Sequence, residues 1–154
     1  MVDTENGQHD YYMARCIALA SVAKQRGESP VGSIVVKDGN IIGEGIEAVK
    51  GNTDITFHAE IEAIRRASKF VNGRPLENCV LYTTHEPCIM CSYIIRQANI
   101  STVVIGLLTQ DGTGGLSSPY ALLLDSSIQK WGNPPAIITG VMRDECEGLK
   151  AHGK

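Results

Sequence analysis

Apolar positions along the chain fall into two periods. From His9 to Gln25, Tyr12, Met13, Cys16, Ile17, Leu19, Ala20 and Ala23 recur at three- and four-residue steps. That spacing predicts an amphipathic helix, closed near Gly27. Residues 1–8 before it are mostly polar and are expected to form a flexible tail. The pattern then turns strand-like. Val31 to Lys37 and Ile41 to Glu47 are rich in β-branched residues and flank Asp38-Gly39-Asn40, a hairpin signal. Ala48 to Thr56 reads as a polar loop. Helical spacing returns from His58 to Phe70, through Ile61, Ile64 and Ala67.

Val71 to Asn78 contains Gly73 and Pro75 and reads as a loop, followed by a short apolar strand from Cys79 to Thr83. Pro87 stands where a first-turn proline is tolerated, ahead of a helix from Cys88 to Ala98. Ser101 to Gly106 is a buried strand by its Val-Val-Ile core. Leu107 to Ser118 carries Gly112, Gly114 and Gly115 and must be a loop. Pro119 to Lys130 reads either as a short helix or as irregular chain, broken by Trp131 to Pro135. A last strand, Ala136 to Thr139, and a terminal helix, Val141 to Leu149, complete the order. A hairpin followed by alternating α and β elements is an α/β pattern. It predicts one mixed sheet with helices on both faces, and a single domain over residues 1–154.

Composition narrows the class only slightly. The chain of 154 residues is 43% hydrophobic and 20% charged, with a net charge of −3, ordinary for a globular domain. The charge balance makes nucleic acid an unlikely partner, and no apolar run is long enough for a membrane span. With no apolar signal core near the start, a cytoplasmic location is expected. The five cysteines, an odd number, argue against a disulfide framework. Cys16, Cys79 and Cys146 sit in core-like patterns. Cys88 and Cys91 have the spacing of metal ligands.

The chemistry gathers around Phe57-His58-Ala59-Glu60 and Tyr82 to Cys91. One imidazole and two thiolates suit zinc, and a structural site would normally add a fourth protein ligand. None has convincing spacing, so the fourth position is assigned to water. Cys88 and Cys91 share a helix face at i and i+3, and His58 lies at another helix start. Both positive helix ends would face the metal. Glu60, gathered at the same helix start, is placed to move protons between that water and a substrate. Alone, Cys-x-x-Cys is as often redox-active or structural, and His-x-Glu is common. Their combination, with Pro87 directly before the first cysteine, is far more specific.

His58-Ala59-Glu60 and Pro87-Cys88-Ile89-Met90-Cys91 match the known H-x-E…P-C-x-x-C signature without substitution. On these residues the chain resembles the zinc-dependent cytidine and nucleobase deaminase superfamily. Gly43-Glu44-Gly45, Asp54 and Leu81-Tyr82-Thr83-Thr84 resemble the branch holding tRNA adenosine, guanine and fungal-type cytosine deaminases. Ile138 to Glu147 resembles the end of tRNA adenosine deaminases. The likeness covers roughly residues 9–150 and is weakest over 107–135. It implies a cytidine deaminase-like three-layer α-β-α sandwich around a five-stranded mixed sheet, commonly as a homodimer. It further implies Zn2+ held by His58, Cys88 and Cys91, and Glu60 as catalytic proton shuttle. The backbone around Glu86 and Cys88 would help hold the water or the leaving amine.

The chain departs from this family in its pocket. Where relatives commonly place an Asn that hydrogen-bonds the base, Glu47 stands. A carboxylate only accepts, so Glu47 either selects a substrate edge rich in N–H groups or ends the strand in solvent. Phe57 either narrows the pocket and stacks on a ring or belongs to the core at the helix start. His85 either contacts substrate or is an exposed loop histidine. Residues 111–118 are a candidate lid, with Tyr120 and Trp131 as possible closing aromatics.

The reading that follows is zinc-dependent hydrolytic deamination of a small nucleobase, nucleoside or related amino-heterocycle, cytosine- or guanine-like, releasing ammonia. A tRNA-specific adenosine deaminase is the alternative. The C-terminal likeness favours it, while Val141 to Lys154, with three basic and three acidic residues, does not. A non-catalytic zinc-stabilised module is the reading of another class, and the intact Glu60 argues against it.

Overall fold

The structure, a computed structural model, describes residues 2–151. Helix α1 spans Val2–Gln25. It therefore takes in residues 2–8 of the expected tail, and residue 1 lies outside the described residues. The predicted stripe is the buried one: Met13, Cys16, Ala20 and Ala23 are fully covered. Gly27, at φ 81°, ends the helix, with the Glu28 N–H returning to the Ala23 carbonyl at 3.0 Å.

Strands β1 (Gly32–Lys37) and β2 (Asn40–Ile46) form the expected hairpin. Asp38 and Gly39 both have positive φ, 50° and 77°, as a type I′ turn requires. The expected polar loop contains one extra turn of helix, α2 (Val49–Asn52), whose four residues are too few to show a period. Helix α3 (Ala59–Phe70), strand β3 (Cys79–His85), helix α4 (Ile89–Gln97) and strand β4 (Thr102–Leu107) follow. Between β4 and β5 (Ala136–Thr139) the described chain forms one 3-10 turn, at Gln129–Trp131, so the irregular reading of 119–130 holds. Helix α5 (Arg143–Ala151) closes the fold.

The sheet order is β2-β1-β3-β4-β5, with antiparallel pairing on the β2 and β3 sides of β1 and parallel pairing beyond. Side chains alternate between its two faces, and each face has its own core. Val35, Leu81 and Val103 meet Ala63, Ile64, Ala67 and Ile95 of α3 and α4. Ile34, Tyr82 and Val104 meet Met13 and Cys16 of α1 and Cys146 of α5. This is the three-layer α-β-α sandwich with a five-stranded mixed sheet. No helix among the described residues is long and apolar enough to cross a membrane.

Edge strand β2 approaches α3 very closely. A side chain at Gly43 or Gly45 would collide with the Ala63 or Ala59 carbonyl, respectively. The two glycines thus seat the helix that carries Glu60.

Candidate active site

His58 and Cys88 are the residues immediately before α3 and α4. Each has extended backbone, φ −79° and −70°, the geometry of a helix N-cap. Both helix N-termini therefore face the site, one residue later in each case than the spacing predicts. The Cys88 Sγ accepts from the Cys91 N–H at 3.5 Å. The His58 Nδ1 lies 3.7 Å from Cys88 Sγ and 3.5 Å from Cys91 Sγ. Zinc–nitrogen and zinc–sulfur bonds at a tetrahedral angle imply a nitrogen–sulfur separation of about 3.5 Å. The three side chains fit zinc, and their ligand atoms all lie within 4.8 Å of one another.

Without metal the three ligands share protons, and a bound cation would displace those held by His58 and Cys91. Hydrogen bonds from Cys91 and His58 bring the Cys88 thiol down to about 4. Cys91, sharing a proton with Cys88 and buried, is pushed up instead. His58 rises to about 9, chiefly through its hydrogen bond to Cys88. Cys88 is the anionic member of the pair, at a helix N-terminus.

Glu60 lies in the first turn of α3 and is 3% exposed. Burial raises its carboxyl to about 7. Its Oε2 accepts from the Thr83 hydroxyl at 3.1 Å, and its Oε1 lies 3.8 Å from Cys91 Sγ. The Thr83 hydroxyl also lies 3.0 Å from the His85 carbonyl, which fixes it between the two. Thr83, read in the sequence as strand and as part of the Tyr82 to Cys91 stretch, thus touches the buried carboxylate directly.

Of these groups, His58, Glu60 and Cys88 line an open cavity of about 320 Å³. Glu47 and His85 line it too. The Glu47 Oε1 accepts from the Ala59 N–H at 3.2 Å, and burial raises its carboxyl above the ordinary value. His85, at the end of β3, is lowered by burial and by the charge of Lys150. Asp111, Thr113 and Lys150 line the cavity as well. They come from the glycine-rich loop and the last helix, where no local motif marks them.

Phe57 is not brought to this cavity. It lines a separate hollow between α1, β2 and α3, with the Arg65 guanidinium 5.4 Å over its ring. The backbone turns between Phe57 and the N-cap His58, so neighbouring residues face different spaces. Trp131 lies under the Arg96 guanidinium at 4.9 Å and meets Tyr93 edge-to-face at 5.3 Å, outside the cavity lining, and Tyr120 is 69% exposed. Glu86 borders the cavity, but its side chain is 2% exposed and turned into the loop beside it.

Comparison with known proteins agrees with this geometry. The profile of the family described as "Cytidine and deoxycytidylate deaminase zinc-binding region" matches residues 6–107. A tRNA-specific adenosine deaminase of Aquifex aeolicus (strain VF5) is 38% identical over 125 residues, covering 79% of this chain and 82% of that one. A structure from studies of A-to-I editing by tRNA:A34 deaminases, acting at the wobble position of transfer RNA, superposes with TM-score 0.82 at 28% identity. That match covers 90% of this chain and 98% of the other. Guanine deaminase from Bacillus subtilis superposes with TM-score 0.63 at 39% identity, over 65% of this chain and 64% of that one. The chain belongs to the zinc-binding cytidine and deoxycytidylate deaminase family and is a zinc-dependent aminohydrolase.

Proposed function

We propose that the protein deaminates an adenosine held in tRNA. The observation that carries hydrolytic deamination is the meeting of His58, Cys88 and Cys91 beside buried Glu60, at an open cavity lined by His58, Glu60 and Cys88. The adenosine in tRNA is supported by the Aquifex relative and the A34 deaminase structure, both named for that substrate. This reverses the ranking that net charge and Glu47 suggested, and it fits the expected cytoplasmic location. A homodimer is part of the proposal.

His58, Cys88 and Cys91 would hold zinc, which in such sites supplies a water of lowered pKa. Glu60 acts on protons. Its burial, which raises the carboxyl above the ordinary value, suits it to accept a proton and pass it on. It takes the proton of the attacking water, delivers it to the ring nitrogen, and then serves the departing amine. The Thr83 hydroxyl holds the Glu60 carboxylate in place. The cavity's small volume admits one base, so an adenosine in RNA must be turned out of its stack to enter.

A second reading rests on Glu47. Its carboxylate lines the cavity and keeps one oxygen beyond its bond to Ala59. That oxygen suits a base edge rich in N–H groups, such as guanine.

One assay separates the two. Zinc-loaded protein is given A34-bearing tRNA, or a panel of cytosine, guanine, adenine and their nucleosides, and ammonia and inosine are measured. Inosine in tRNA with an inert panel supports the first reading. Ammonia from guanine with unmodified tRNA supports the second. If neither forms, both fail. Affinity for tRNA should also fall steeply with salt.

A further inference from the structure

Glu86 precedes the two residues that lead into the metal-ligand helix, and it borders the substrate cavity with its carboxylate bonded to the neighbouring loop. Its Oε1 accepts from the Thr109 N–H at 3.0 Å. Its Oε2 accepts from the Leu116 N–H at 3.0 Å and the Ser117 N–H at 2.7 Å. The Ser117 hydroxyl sits 2.9 Å from both oxygens. A single buried side chain thus gathers backbone donors from both ends of the glycine-rich loop.

Two further contacts tie the same loop to the ligand turn. The Ile89 N–H donates to the Thr113 carbonyl at 2.9 Å, and the Gly115 N–H to the Pro87 carbonyl at 2.8 Å. Cys88 and Gly114 form an isolated antiparallel bridge. The loop fits because it lacks side chains at the contact. A Cβ on Gly114 would overlap the Glu86 carboxylate, and one on Gly115 would overlap the Ser92 hydroxyl. These glycines serve close approach rather than mobility. These contacts hold the candidate lid against the ligand turn.

We propose that Glu86 is a positioning residue: it locks the 109–117 loop onto the ligand turn and so sets where Asp111 and Thr113 stand in the substrate cavity. The proposal rests on the deaminase reading for its kinetic consequence alone. A group that accepts at both ends is required here. Glutamine, in either orientation, would turn its NH2 toward a backbone N–H. The wall would then be lost from one end while the zinc ligands stayed in place.

The test compares wild type with Glu86→Gln and Ser117→Ala. Amide hydrogen exchange, zinc per chain and steady-state kinetics are measured on the full, zinc-loaded protein. For Glu86→Gln, exchange over 109–117 is expected to rise about tenfold or more, with α1 and α3 unchanged and zinc retained. KM on A34-bearing tRNA, or on guanine if that is what the wild type deaminates, should rise about tenfold, and kcat should change far less. Ser117→Ala removes one donor and should give a smaller rise of both with an unchanged Tm. Unaltered loop exchange, or a rise spread evenly over the molecule, overturns the proposal, as does an unaltered KM beside a fallen kcat. If Glu86→Gln does not fold, Ser117→Ala decides: no change in loop exchange overturns it. Exchange and zinc content need no substrate, so they stand even if neither substrate is deaminated.

Discussion

At the scale of the residue, three side chains would hold zinc and Glu60 is proposed to move protons. Glu60→Gln keeps the shape and removes the proton carrier. Deamination should fall by about a thousandfold while zinc stays at one per chain, which ammonia release and metal analysis together check. Cys88→Ser should instead lose zinc, because the hydroxyl replaces the most acidic ligand of the set. Glu47→Asn separates the two substrate readings. Replacing an acceptor-only group by one that also donates should shift the ratio of tRNA to guanine turnover toward tRNA by about tenfold. The ligands and Glu60 were legible in the sequence because their chemistry fixes residue type and spacing together. Lys150 was not, and Thr83, Asp111 and Thr113 were legible only as parts of a stretch or a candidate lid, since each reaches the site through pairing or loop contacts between distant segments. Phe57, left open between pocket and core, lies outside the cavity. Its neighbour His58 is a ligand, but adjacency along the chain does not survive the turn into α3.

At the scale of the element, the strands and long helices followed their periods. The unread pieces were those without a period: the single turn of α2 and the connection between β4 and β5. The early start of α1 was missed because residues 2–8 carry no apolar stripe to report a helix. The seating of α3 on β2 makes a sharp prediction. Gly45→Ala drives a methyl group into the Ala59 carbonyl one residue from Glu60, and should cost about 2–4 kcal/mol by denaturant unfolding. The Arg15–Glu44 pair, with bonds of 2.7 and 2.9 Å, ties α1 to the same strand. Its hydrogen bond holds the Glu44 carboxyl below its usual 4.5. Its stabilisation is therefore full above that value and disappears as pH falls through the lower folded-state pKa. With side chains 47% and 30% exposed it is worth less than about 1 kcal/mol, so Arg15→Ala should barely move the unfolding midpoint at pH 7.

At the scale of the whole molecule, the sheet is the instrument that brings the two motifs together. His58 and Cys88 are 30 residues apart and meet because α3 and α4 lie on the same sheet face. Metal there closes a loop of that length, so chelation should lower Tm by several degrees, read by calorimetry with and without zinc. The proposed homodimer predicts a mass in solution of twice the chain's 16.6 kDa by light scattering. The hydrogen bonds of Glu86 also carry a consequence for biosynthesis. A ribosome that has released residues 1–107 has delivered every zinc ligand, Glu60 and four of the five strands. It has not delivered Thr109, Leu116 or Ser117, so the carboxylate beside the metal turn has none of these donors. The centre that captures the metal is made first, and the wall that shapes its substrate arrives later in translation.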